Sequence, residues 1–375
     1  MLRLWISLCG GDKRFMKVGI IGFANLRYMP YIKYYTDIFD KHEVQYEIIY
    51  WNRRGLVEEW HAETFAFTEK MDDSVPKINK ISAMLRFGKF TKNKIMERKY
   101  DFLVILTSIP AILLGNYIKK TYSFRYVVDI RDYTYEGFYI YRHNLKGILN
   151  KAAMRVISSP AFKNFLPLDD YIICHNLSIS RDTDRNIRTK KPRNKNVLNI
   201  SYIGAIAYFA EVAKLLDAIA NDSRFIFLFY GSGVDDQALK TYCLANGINN
   251  VYFHGMYKPS EKEAFYGETD LIFNAYGADV RNTKLLLSNK LYDAAWYRIP
   301  ILVSPGTAMF EMAKYMGFEL NFEKATIADD LYNWYNELDW ERFKVTADTL
   351  INKAFDDNKK FKGKLLSTLK MKARD

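Results

Sequence analysis

The residues whose types and spacing best suit chemistry are Lys290 and Asp293, in the stretch Ser288-Asn289-Lys290-Leu291-Tyr292-Asp293-Ala294-Ala295-Trp296-Tyr297. Read as a helix, the stretch puts Lys290, Asp293 and Tyr297 on one face and Leu291 and Ala295 on another. Ser288 or Asn289 would cap its start, and the N–H groups of a first helical turn attract an anion. An ammonium suited to a diphosphate and a carboxylate suited to ribose hydroxyls would then project together. The same spacing also describes a plain amphipathic helix with Lys290 and Asp293 paired in water. Context favours a ligand. The helix runs through Pro300 into an apolar strand, and it follows a strand, Tyr276 and a polar run containing Asp279, Arg281, Asn282 and Lys284.

Two further groups carry chemical potential. Gly204, Gly231 and Gly233 each follow an apolar run, where glycine lets the backbone turn tightly or approach a base or phosphate. Val128-Asp129-Ile130-Arg131-Asp132-Tyr133-Thr134-Tyr135-Glu136 lies just past a strand. An attacking hydroxyl must lose its proton, so Asp132 is the first candidate base and Glu136 the second, with Arg131 beside them. A structural Arg131–Asp132 ion pair is the competing reading. Gly22, Asn25 and Arg27 follow the first strand and are candidates by position alone. His254 stands alone beside a strand and is left out of the site. Cys9, Cys174 and Cys243 are too scattered for a disulfide framework or a metal cluster, and fit a reducing cytoplasm. No Asp-x-Asp pair has the strand context a metal site would need, and no metal is expected.

These residues need a scaffold, and the hydrophobic pattern predicts one. Apolar β-rich runs at 18–21, 46–50, 102–106, 126–130 and 171–174 alternate with helical patterns such as 31–39 and 78–97. The pattern stops over 178–196, the expected linker. It resumes with strands at 198–203, 225–230, 251–253, 271–273 and 301–303, separated by helices near 210–220, 236–245, 260–266, 289–297 and 307–315. Alternation of this kind predicts parallel sheets with crossover helices, whose ligands sit beyond the carboxyl ends of the strands. At 375 residues the chain exceeds the ~250 to 300 at which single cores stop growing, so two domains are expected. Their boundaries are placed at 16–177 and 197–340, with a helical tail over 341–375.

In these positions the sequence resembles the GT-B glycosyltransferases that build bacterial capsules, exopolysaccharides and lipopolysaccharide, a retaining, group-1-like family. The 288–304 stretch resembles their NKLxE…GxPV helix-to-strand element. Ile200-Ser201-Tyr202-Ile203-Gly204 resembles the opening of their donor domain, and Phe229-Tyr230-Gly231-Ser232-Gly233 its G-x-G turn. Val251-Tyr252-Phe253-His254-Gly255 and Leu271-Ile272-Phe273-Asn274-Ala275-Tyr276 resemble its next two strands, and 128–136 resembles the DIRDLWPE element of the first domain. The resemblance implies an α/β protein of two Rossmann-like domains facing across a cleft. It further implies transfer of a sugar, a hexose, from a nucleotide sugar of the UDP class to a hydroxyl of a lipid-linked or growing surface polysaccharide. The nucleotide sugar is then a substrate, and no cofactor is implied.

Three positions depart from the family. Asp293 replaces a glutamate that binds the donor ribose, Leu285 stands where a second glutamate lies, and Gly204-Ala205-Ile206-Ala207-Tyr208-Phe209 lacks the usual cations. Two alternatives stay open: a non-catalytic GT-B component of a polysaccharide-assembly complex, and a nucleotide-sugar epimerase. A dinucleotide oxidoreductase is disfavoured, because no G-x-G-x-x-G follows either first strand.

Charge adds a partner. The net charge is +12, but residues 1–196 hold 34 Lys and Arg against 20 Asp and Glu, whereas the remainder holds 21 against 23. The basic half is interleaved with aromatic residues, which suits an anionic membrane surface. No zinc-finger spacing, RNP-type strand or recognition helix points to nucleic acid. The apolar run 102–118 contains Pro110, Gly115 and Asn116 and reads as strand, loop and helix rather than a membrane span. The expected location is therefore cytoplasmic and peripheral at the inner membrane face. Met16 looks like a more natural start than Met1, so residues 1–15 read as an extension.

Overall fold

The structure, a computed structural model, describes residues 5–7, 13–71, 77–179 and 196–372. The chain divides into two units, Met1–His175 with Asp357–Asp375, and Asn176–Asp356.

The first unit opens with an antiparallel pair, β1 (Trp5–Ser7) and β2 (Lys13–Phe15). Its main sheet contains β3 (Lys17–Ile21), β4 (Gln45–Asn52), β5 (Thr64–Thr68), β6 (Phe102–Leu106), β7 (Tyr126–Ile130), β8 (Met154–Ile157) and β9 (Ile172–Ile173). All pairings in it are parallel, in the order β5-β4-β3-β6-β7-β8-β9. Helices α1 (Lys33–Lys41), α2 (Lys77–Arg98), α3 (Ser108–Thr121) and α4 (Tyr139–Leu149) form crossovers. With helices on both faces of a parallel sheet, its central strands are buried throughout, so β6 and β7 read as unbroken runs, FLVIL and YVVDI. The 102–118 run is accordingly strand and helix. Among the described residues no helix is long and apolar enough to cross a membrane.

The second unit repeats the plan with β10 (Leu198–Ile203), β11 (Phe225–Tyr230), β12 (Val251–Gly255), β13 (Leu271–Phe273), β14 (Ile301–Val303) and β15 (Gly317–Glu319), in the order β12-β11-β10-β13-β14-β15. Its helices are α5 (Phe209–Ala218), α6 (Asp236–Ala245), α7 (Lys262–Glu268), α8 (Arg281–Leu285), α9 (Asn289–Tyr297), α10 (Ala308–Ala313) and α11 (Ile327–Asn336). In each sheet the first long parallel strand has its successor on one side and a later strand on the other. This switch point opens a crevice at the carboxyl edge. It lies between β3 and β6 in the first unit and between β10 and β13 in the second.

The expected tail over 341–375 is instead part of one long helix, α12 (Trp340–Lys372). Phe343, Ala347, Leu350, Ile351 and Ala354 belong to a core of the second unit, whereas Phe361, Leu365 and Leu369 belong to the core of the first. Apolar faces at both ends of the helix claim different cores, so the tail is not a separate element. In the first unit, His175 N donates to Asn358 Oδ1 at 2.7 Å and Asn358 Nδ2 donates back to His175 O at 3.0 Å. Of the expected linker, residues 180–195 lie outside the described residues.

Glu47 on β4 ties the sheet to α2. It is 6% exposed and receives Arg98 Nε at 2.9 Å, Tyr100 OH at 2.8 Å and Lys17 Nζ at 2.8 Å. Burial pushes its carboxyl up, but these donors outweigh burial and hold it down at about 2. Because the folded value lies below the unfolded one, the stabilisation is full above about pH 4.3 and is lost as pH falls towards 2. Glu47→Gln should therefore cost about 2 kcal/mol at pH 7 in urea unfolding. The difference from wild type should shrink steadily between pH 4.3 and pH 2.

Candidate functional site

At the second switch point the chain leaves β10 through Gly204 (φ +124°) and leaves β11 through Gly231 (φ +129°). A Cβ on Gly231 would fall 2.0 Å from Gly204 O, and one on Gly233 would fall 2.0 Å from Ile206 O. Both glycines are thus required by one loop pressing on its neighbour. Their packing role is visible in the backbone contacts themselves. Gly204 itself faces Lys290, whose Nζ would lie 3.7 Å from an added Cβ.

Lys290 occupies the first turn of α9, partly buried. Its Nζ donates to Tyr276 OH at 2.8 Å and lies 4.7 Å from the centre of the Tyr202 ring. Among the described residues no carboxylate pairs with it. Burial lowers its pKa from the usual lysine value, with Tyr202 and Asp293 opposing. Tyr276 is fixed by stacking on Tyr208, with ring centres 4.4 Å apart. Tyr208 takes left-handed backbone angles just before α5. Sequence reasoning missed Tyr202 and Tyr208. Their proximity to a glycine turn was the available signal.

The two helix starts at this edge differ. The first N–H of α5, on Phe209, donates to Asp235 Oδ2 at 2.9 Å, so a protein carboxylate already sits there. At α9 the expected cap residue, Ser288, does not cap. Its hydroxyl donates to Asn274 Oδ1 at 2.8 Å, and Asn274 Nδ2 is buried without a hydrogen-bond partner among the described residues. Asn289 follows Ser288 as the first residue of the helix.

Asp293 corrects the expectation of a carboxylate presented beside Lys290. It is 1% exposed and accepts from Ser178 Oγ at 2.7 Å, Lys262 Nζ at 2.6 Å and Tyr266 OH at 2.7 Å. The carboxylate joins α9 to α7 and is saturated by protein donors. Asp279, Arg281 and Lys284 are exposed on the loop after β13 and on α8, with Asn282 half-buried. They share the connection that carries Tyr276, while Lys290 bonds to Tyr276 itself.

In the first unit, three of the candidates hold the scaffold. Arg131 is 4% exposed; it donates to Asp129 Oδ2 at 2.8 Å and to Cys174 O at 2.9 Å. The ion pair is with Asp129, not Asp132, because residues two apart on an extended chain share a face. Glu136 is 1% exposed and accepts from Ser108 Oγ at 2.5 Å and Thr134 N at 2.6 Å, pinning the 131–136 turn to the start of α3. Asn25 donates to Asn52 Oδ1 at 2.6 Å and to Glu58 Oε2 at 2.8 Å, and Glu58 also accepts from Arg27 N at 3.0 Å. Gly22 lies against Met29.

Asp132 remains exposed on its turn. Desolvation raises its carboxyl pKa although the side chain reaches solvent, Arg131 opposes, and the negative charges of Glu136 and Asp129 add to the rise. Thr107, which follows β6 and donates its N–H to Asp129 O at 2.7 Å, has φ +73°, a costly angle for a β-branched residue. Its Oγ1 is buried without a hydrogen-bond partner among the described residues. Nothing in the sequence pattern marks Thr107.

No protein-family model matches the sequence, and no curated protein matches it. Solved structures do. Sucrose-phosphate synthase from Thermosynechococcus elongatus superposes with a TM-score of 0.69 at 11% identity, over 94% of this chain and 99% of that one. HepE from Anabaena, in complex with UDP and glucose, gives 0.62 at 13% identity over 94% and 100%. The lipopolysaccharide outer core galactosyltransferase WaaB gives 0.62 at 13% identity over 94% and 99%. The two parallel sheets of seven and six strands are those of the GT-B fold.

Proposed function

We propose that the protein is a glycosyltransferase that moves a sugar, a hexose, from a UDP-class nucleotide sugar to a hydroxyl of a lipid-linked or growing surface polysaccharide. The observation that carries this reading is Lys290, a partly buried ammonium without a carboxylate partner among the described residues, at a helix start whose cap residue is turned away. A buried cation is costly unless an anion compensates it, and a nucleoside diphosphate supplies that anion from outside. The UDP in the HepE structure supports the donor class. No metal ion or cofactor is assigned a role.

In the transfer, the bond from the anomeric carbon to the diphosphate oxygen breaks and a bond to the acceptor oxygen forms. Negative charge grows on the leaving diphosphate, where Lys290 and the N-terminal N–H groups of α9 stabilise it. Asp132, a carboxylate on the turn past the carboxyl end of β7, is the proposed base for the acceptor hydroxyl. Glu136 and Arg131 act through Asp132 by fixing its turn. The enzyme works at the cytoplasmic membrane face.

Screening UDP-, GDP- and dTDP-sugars by thermal shift and donor hydrolysis tests the reading. Stabilisation by a nucleoside diphosphate together with slow hydrolysis is expected, and binding without turnover would favour a non-catalytic component. Lys290→Ala should lower turnover at least 100-fold with little change in melting temperature. Nucleotide affinity should also weaken as pH rises, with a midpoint below the usual lysine value of about 10.4, because burial makes Lys290 lose its proton early. Asp293→Ala should behave differently. It strands Lys262 and Tyr266 and should cost about 3 kcal/mol of stability, while the folded fraction keeps its UDP affinity. Loss of affinity at unchanged stability would instead return Asp293 to the ribose.

A further inference from the structure

The outer helical layer of the first unit exposes apolar side chains where a solvated surface would be polar. Along α2, Ile78, Ile81 and Leu85 recur at i, i+3 and i+7 and are 56 to 75% exposed. Lys89 and Lys92 continue the same stripe at i+11 and i+14. At the start of α4, Phe138, Tyr139 and Ile140 are 68 to 81% exposed. Single exposed apolar residues are ordinary, whereas clusters rimmed by charge mark an interaction surface.

Topology puts the two clusters on one face and one edge. The connections β5 to β6, β6 to β7 and β7 to β8 all step the same way across the sheet. Parallel crossovers are right-handed, so α2, α3 and α4 lie on the same side. α2 packs against α3, and α3 against α4. Crossover helices run back against their strands, so each begins at the carboxyl edge. The exposed turns of α2 and α4 therefore flank the edge that carries Thr107 and the Asp132 turn.

The charge of the layer is one-sided. Glu97 is the one acidic residue on the three helices, and it is paired with Lys94 at 2.8 Å. Arg86 and Arg98 are paired with Glu69, Glu47 and Glu63 from neighbouring elements, whereas Lys89, Lys92, Lys119, Lys120 and Lys146 share the layer with no further acidic residue on these helices. Apolar and tyrosine side chains projecting from a basic layer complement an anionic bilayer, with the rings at headgroup level and the lysines against phosphates.

We propose that the outer face of α2 and the first turn of α4 form a peripheral docking surface for an anionic phospholipid membrane. The surface brings the carboxyl edge of the first sheet to the bilayer, so the acceptor is lipid-borne. This last step rests on the sugar-transfer reading; the docking does not.

Sedimentation of the full-length protein with vesicles tests it. Vesicles of equimolar phosphatidylcholine and phosphatidylglycerol should bind the protein, pure phosphatidylcholine vesicles should bind it at least tenfold less, and high salt should release much of it. The exposed substitutions Ile81→Glu with Leu85→Glu, and separately Tyr139→Ser with Ile140→Ser, should each lower binding at least tenfold. Both variants should keep the wild-type circular dichroism and UDP affinity. Equal binding to neutral vesicles, or wild-type binding by both folded variants, overturns the proposal. So does a concentration-dependent dimer abolished by these substitutions in a protein that binds no vesicles, which would make the face a contact between copies. Donor hydrolysis is read in the same preparations. Vesicle binding without hydrolysis leaves the docking standing and removes the transferase reading, and the reverse result removes the docking alone.

Discussion

The second unit depends on one close backbone approach. Gly231 passes so near the Gly204 carbonyl that any side chain would occupy the oxygen's place. That contact presses the loop after β11 onto the loop after β10 and holds Gly204 at an angle few residues adopt. Gly204 in turn leaves the gap that Lys290 fills. Tyr202 on one side and Tyr276, braced by Tyr208, on the other keep the ammonium in place. Without the glycine contact, the lysine would lose its wall and its distance from solvent.

Both units treat charge alike. Burying a carboxylate without donors is costly, so Asp293, Glu136 and Glu47 are each surrounded by them. Arg131 is matched by Asp129. Lys290 and Asp132 break the pattern: the first is a partly buried cation without a carboxylate partner among the described residues, the second an exposed acid with a raised pKa. Protein–protein pairs in these units build scaffold. Lys290 and Asp132 each lie past the carboxyl end of a strand in their own sheets, the position parallel α/β architecture reserves for ligands.

Much of the architecture was legible. Six strands, Phe102–Leu106, Tyr126–Ile130, Leu198–Ile203, Phe225–Tyr230, Leu271–Phe273 and Ile301–Val303, coincide with apolar runs, because strands covered on both faces need no alternation. The edge strands β5 and β15 were not legible. One is half-exposed and the other three residues long, so neither has a distinctive run. The Arg131–Asp129 pair was legible from period two, and the nearer Asp132 drew attention instead. The exposed stripe on α2 was visible as periodicity but not as exposure, since the same spacing normally faces a core.

The sequence by itself determined the parallel α/β class, the doubled plan, the helix that carries Lys290 and the basic character of the first half. Each depends on neighbours a few residues apart or on composition. Only the tertiary structure decided which charged groups are spent on the scaffold. Asp293 meets Ser178, Lys262 and Tyr266, which are 115, 31 and 27 residues away. Gly231 meets Gly204 across a strand pairing, and α12 serves two cores. Local pattern identifies residues able to do chemistry, but their availability is set by partners that only folding brings within reach.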